Sequence, residues 1–171
     1  MMLAVLALLL AGPAEEFPDP IAPAAQGKLQ CHVPDRARHT CQSLAGYRPD
    51  GKGGFFNTAD VLLAPEPLLT MRAVSTVVIR DGAICGKLSR ESFEKAQFFA
   101  DGGLLDAEKT AGLRTAILEQ SAAMMLDREI CTRYTQSGDH LVAHVTLDGK
   151  PDQATMDVIW VSPSEGYRVA P

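Results

Sequence analysis

Four cysteines, Cys31, Cys41, Cys85 and Cys131, all lie behind an uncharged apolar run at the amino end, and that combination constrains the chain more than any other feature. An even cysteine count that follows an export leader reads as two disulfides closed in an oxidising compartment. Three pairings are possible. The preferred one joins Cys31 to Cys41 across a ten-residue loop, and Cys85 to Cys131 across a 46-residue loop that would tie a strand to the end of a long helix. In the chain-entropy account each closure contributes about 3–4 kcal/mol, a large share of a marginal total.

The apolar run, MMLAVLALLLA, is too short to span a bilayer: at about 1.5 Å per residue it covers roughly half of a hydrocarbon core about 30 Å thick. Gly12 and Ala14 are the small residues that a signal-peptide cleavage site needs before Glu15. No Lys or Arg precedes the run, so the start amine supplies the positive end. Ala22-Pro23-Ala24 offers a second site, and a cut there would also remove Glu15, Glu16 and Asp19. Residues 1–14 are therefore expected to be a signal peptide, 15–27 a proline-rich flexible leader, and 28–171 a single globular domain. No cysteine follows the run closely enough for a lipid anchor. The expected location is periplasmic or secreted, with no stable membrane insertion once the signal is gone.

Composition agrees with one ordinary domain: 171 residues, 46% apolar, 22% charged, mean hydropathy +0.01. Sixteen Lys and Arg against 21 Asp and Glu give a net charge of -5, which leaves no cationic field to gather nucleic acid.

Asp-Gly pairs at 50–51, 81–82, 101–102 and 148–149 mark turns that need a residue at positive φ. AVSTVVIR, then DG, then AICGKL predicts one hairpin. HLVAHVTL, then DGKPD, then QATMDVIWV predicts another. Between them, Asp106 as N-cap with Leu105 as its staple opens a segment from Ala107 to Ile130. There Leu113, Ile117, Met124 and Cys131 share a helical stripe, with Ala111, Leu118, Ala122 and Met125 beside it. Ser89 opens a shorter helix in SRESFEKA. The expected class is α+β: an antiparallel sheet of two or more hairpins packed against one long amphipathic helix and stapled by disulfides. Met124-Met125 is read as core filler.

Reactive constellations are weak. Cys31, His32, His39 and Cys41 lack the close ligand pairs of zinc sites, and there is no C-x-x-C for redox work. His140 and His144 would align on a helix, but on a strand they stand about 13 Å apart on one face. No serine sits in G-x-S-x-G, and Asp139 and His140, adjacent in a strand, should point apart. AGYRPDGKGGFFN fails the phosphate-loop pattern because Gly53 follows Lys52. It reads as a hairpin tip whose Tyr47, Arg48, Lys52, Phe55 and Phe56 form a candidate partner-binding loop. No catalytic residue, metal ligand or cofactor is assigned.

CHVPDRARHTC, VLLAPEPLLTMR, VVIRDGAICG, EICTRY and VIWVSPSEGYRVAP, behind the short leader, together resemble a group of small secreted bacterial proteins of unassigned activity. The resemblance implies export and a single domain, and it carries no catalytic residues. The expectation is an exported, non-enzymatic domain that binds an envelope component or a secreted protein. The alternative is a small hydrolase or metal-dependent enzyme using His140 and His144, or His32 and His39. Intact-mass measurement of the natively produced protein should show residues 1–14 removed and no thiol open to alkylation before reduction; four free thiols on an unprocessed chain would refute both expectations.

Overall fold

The computed structural model describes residues 19–120 and 126–171. Its strands and helices run β1 (Leu29–His32), β2 (Thr40–Cys41), β3 (Ser43–Pro49), β4 (Phe55–Ala64), β5 (Leu69–Arg80), β6 (Ala83–Gly86), α1 (Arg90–Glu94), β7 (Gln97–Ala100), β8 (Gly103–Leu104), α2 (Ala107–Gln120), β9 (Ile130–Ser137), β10 (His140–Leu147), β11 (Lys150–Val161) and β12 (Arg168–Val169). Around the sheet the order is β1-β3-β4-β5-β6-β9-β10-β11, every neighbour antiparallel, and β11 pairs back onto β1 through Leu29↔Val161 to His32↔Val158. The result is a closed, eight-stranded, up-and-down barrel.

This corrects the expected α+β sheet on one long helix. The hairpins β5–β6 and β10–β11 form, with Asp81-Gly82 and Asp148-Gly149 at positive φ in two-residue turns; the second turn is tighter than expected, because β11 already starts at Lys150 instead of after Asp152. The helix opens as predicted, Asp106 Oδ1 accepting from the Lys109 amide at 2.8 Å. It does not continue to Ile130, because Ile130–Ser137 is strand β9, hydrogen-bonded to β6 on one side and β10 on the other. Cys131 therefore ends no helix. It faces Cys85 directly across the β6–β9 ladder, and the second disulfide staples two barrel strands. Met124 and Met125 lie outside the described residues.

Different segments pack over the two ends of the barrel. At the end where the β5–β6 and β9–β10 turns lie, a 3-10 turn at Ala22–Gln26 carries Ile21 into the barrel. Ile21 is 3% exposed and packs with Val77, Ile84, Phe55 and Trp160; its amide donates to Asp19 Oδ1 at 2.9 Å. At the opposite end α1, β7 and α2 form a cap. Phe93 and Phe98 meet edge to face beneath Leu113, Ile117 and Leu118, against Met71 and Ala73 of β5.

A third cluster lies outside the wall. There the first disulfide, Cys31–Cys41, packs with Ile159 and Val161 under Tyr167, where β2 and β12 pair in parallel. These are the two pairings preferred from the sequence. Because Ile21 is the buried residue of its segment, Ile21→Ala should cost about 2–4 kcal/mol in urea denaturation of the oxidised protein; a cost under about 1 kcal/mol would show that the segment does not seal the barrel.

Candidate functional site

Side chains alternate across a strand, so the register decides what faces the lumen. On β3, β4 and β5 the residues Ala45, Ala59 and Ala73 stand opposite one another in a continuous row. Gly86 of β6 adds nothing on its side; a Cβ there would lie 2.7 Å from Val77 Cγ1, so β5 and β6 tolerate no side chain at that point. An eight-stranded barrel is just wide enough to be filled by large inward residues or to hold one small ligand. Here small residues leave a chamber of about 260 Å³. Its polar wall includes Ser43, Asn57, Ser75 and Thr132, and it reaches the rim at Lys87 and Leu88.

Gln30 is the buried polar centre of this interior. It is 0% exposed, and its register partners are Ala45 and Trp160, both inward. Its Oε1 accepts from the Tyr47 hydroxyl at 2.7 Å and from the Tyr134 hydroxyl at 3.3 Å, and both tyrosines line the chamber. Burial pushes the Tyr134 phenol up to about 12 and the Tyr47 phenol well above its ordinary value, so both remain protonated donors. Gln30 Nε2 has no hydrogen-bond partner. A buried donor without an acceptor costs about 1–3 kcal/mol; Gln30 lies behind the two tyrosines and is not itself one of the residues lining the chamber.

The candidates read from the sequence scatter around this chamber. Tyr47 and Phe55 of the proposed loop turn inward, while Arg48 lies 4.6 Å over the Phe56 ring on the outer wall and Lys52 is exposed at the tip. His32 lines the chamber, whereas His39 stacks on Tyr167 outside, its Nδ1 2.7 Å from the Glu165 carbonyl oxygen, so the two do not meet. His144 contacts Thr135 Oγ1 at 3.0 Å through Nε2. Asp139 and His140 do not point apart. Asp139 sits in the turn after Gly138, and its Oδ1 comes within 3.4 Å of His140 Nδ1, while Asp157 Oδ1 lies 3.6 Å from Nε2 and Arg36 binds Asp139 Oδ2 at 2.6 Å.

Arg36, Asp139 and His140 border a groove of about 730 Å³ whose walls also include Asp19, Pro20, Ala22 and Pro23. Among the described residues no group of three or more His, Cys, Asp or Glu is placed to hold a metal ion. Sequence reading passed over Gln30, Tyr134 and the alanine row; the equal intervals between Ala45, Ala59 and Ala73 were a signal that hairpin register would bring them together.

No family model, curated protein or solved structure matches the chain. Among the described residues no helix is long and apolar enough to cross a membrane. The two disulfides point to an oxidising environment.

Burial lowers the His32 imidazole to about 4, so it is neutral in the folded protein at neutral pH. The unfolded chain, with an ordinary histidine, binds a proton that the folded chain refuses. Stability is therefore full above pH 6.5 and falls as pH drops from about 6.5 towards 4, by up to about 3 kcal/mol. Urea midpoints across this range should fall less steeply for His32→Asn than for the parent; parallel profiles would place the acid sensitivity elsewhere.

Proposed function

We propose that the protein is an exported, non-enzymatic binding domain of the periplasmic or secreted space, and that it holds a small ligand in the barrel lumen. The observation that carries this reading is the chamber itself. Inward alanines and Gly86 leave it unfilled. A barrel selected for stability alone gains from large inward side chains, since each buried methylene contributes about 0.8 kcal/mol. Small residues on three successive strands support a space kept for something else.

The two disulfides support the compartment, because thiol pairs persist where the surroundings oxidise. Burial of Ile21 supports signal removal after Ala14 rather than Ala24, since the later cut would discard the residue that seals the barrel. Arg48, Phe56 and Lys52 on the outer side of the β3–β4 hairpin support a second reading, contact with an envelope protein. Affinity capture from periplasmic extract, lost on Phe56→Ala, tests that one.

The lumen reading is tested with N-phenyl-1-naphthylamine, an uncharged dye that brightens on leaving water. The oxidised protein should bind the dye in one-to-one stoichiometry. Ala59→Phe, which fills the alanine row, should abolish binding while leaving the protein folded and its disulfides closed. Equal binding by the Ala59→Phe variant, or none by the parent, would overturn the proposal.

A further inference from the structure

We infer that the chamber takes a short-chain carboxylic acid, its carboxyl group held by the neighbouring His32 imidazole and Ser43 hydroxyl and its hydrocarbon body in the alanine-lined space. This rests on the lumen being a ligand site and adds the chemistry of its occupant. Register, hydrogen bonding and charge each bear on that chemistry.

Strand register arranges the chamber lining in levels. His32 of β1 stands opposite Ser43 of β3, Ser43 opposite Val61 of β4, and Val61 opposite Met71 of β5, and all four line the chamber. The next level is the row Ala45, Ala59 and Ala73, and beyond it stand Tyr47, Asn57 and Ser75. His32 and Ser43 are therefore direct cross-strand neighbours on the inner face, about 5 Å apart at Cβ. The space of about 260 Å³ admits a chain of a few carbons or a single ring. A head group at His32 and Ser43 leaves such a body against Val61 and the alanine row.

Neither of these two polar side chains is already engaged. Among the described residues no hydrogen bond or ion pair involves the His32 imidazole or the Ser43 hydroxyl, and both residues are half-buried instead of sealed in. A protonated imidazole nitrogen and a hydroxyl are both donors. The two oxygens of one carboxyl group answer both neighbours at once.

Every ionisable group that lines the chamber is a base or a phenol: His32, Lys87 at the exposed rim, and Tyr47 and Tyr134, whose phenols burial keeps protonated. Among the described residues no Asp or Glu lines it. Asp60, next to Val61 on β4, alternates to the outer face and is held by Arg72, while Asp157 Oδ1 on β11 lies 3.6 Å from His140 Nε2. An ammonium ligand would thus meet no counter-charge, and a bare carboxylate would meet an imidazole that burial keeps neutral at neutral pH. A weak acid resolves this by entering with one proton from water. Anion and proton arrive together, the proton lies in the hydrogen bond between carboxyl oxygen and imidazole nitrogen, and the pair adds no net charge to the interior.

The test uses the full oxidised chain. Hexanoate, titrated by calorimetry in phosphate and in Tris at pH 7.5, should take up about one proton per molecule bound, read from the difference between the two enthalpies. An alkyl carboxylic acid titrates at roughly 4–5 and His32 of the unliganded protein at about 4, so above pH 6 neither free partner holds the proton. The affinity for hexanoate should therefore fall about a hundredfold from pH 6 to pH 8, while that for N-phenyl-1-naphthylamine stays within about twofold. Hexylammonium should not displace the dye. His32→Gln, which hydrogen-bonds but takes no proton, should weaken hexanoate at least about tenfold at pH 6 and remove the pH dependence.

A second measurement needs no substitution. The 15N resonances of the His32 ring should shift on adding hexanoate at pH 6 and stay in place with hexylammonium. Hexanoate that binds without a proton, fails to displace bound dye, leaves the His32 ring unmoved or keeps its pH dependence in His32→Gln overturns the carboxyl assignment while leaving the lumen reading intact. Failure of the parent to bind the dye, or proton-linked hexanoate binding that survives Ala59→Phe, overturns the lumen reading and this inference together.

Discussion

The hydrogen-bond ladder between the first barrel strand and the last carries the rest of the structure. β1 is four residues long, yet it pairs with β3 on one side and β11 on the other, and through it the sheet becomes a closed surface with no free edge among the eight wall strands. Closure gives each wall strand an inside and an outside. On β1 that division turns Gln30 and His32 to the inner face, His32 onto the chamber, and sends Cys31 outward to Cys41, so the disulfide clasps the outer surface of the strand at the seam. A one-residue slip would exchange these roles, bringing sulfur into the lumen and the amide into the outer cluster.

A closed wall with an incompletely filled centre must draw its stability from elsewhere. The apolar clusters bear this out: one is centred on Ile21 at the turn end, one on Phe93 and Phe98 at the helical end, and one outside the wall around Cys31 and Cys41. The Cys85–Cys131 bond joins β6 to β9, the two wall strands separated in sequence by the whole helical cap. Sealed ends and cross-linked walls let the middle of the barrel remain roomy, which is the condition for a site there.

Much of the local structure was legible. The Asp-Gly turns, the β5–β6 and β10–β11 hairpins and the Ser89 and Asp106 helix starts follow from short-range chemistry that neighbouring residues dictate. The two cysteine pairings match the preferred ones, but Cys85–Cys131 does so by joining two strands, not a strand and a helix end. Ile130–Ser137 was not legible. Its apolar residues and Cys131 extend the helical stripe of the preceding segment as readily as they alternate along a strand, and only pairing with β6 and β10 separates the two readings. The candidate site was less legible still, because a lone glutamine and three alanines carry no motif. They become a site when three registers align and two phenols converge on one amide.

The amino-acid sequence by itself determined where the chain turns, which segments are capped and that its thiols suit an oxidising compartment, because each of these is decided by residues close together in the chain or by their count. Tertiary structure alone decided that the strands close into a barrel, that α2 caps one end instead of covering a sheet face, and that Gln30 meets Tyr47 and Tyr134. These depend on pairing between residues far apart in sequence, and strand register, to which local propensity is blind, sets which face each side chain shares and with whom.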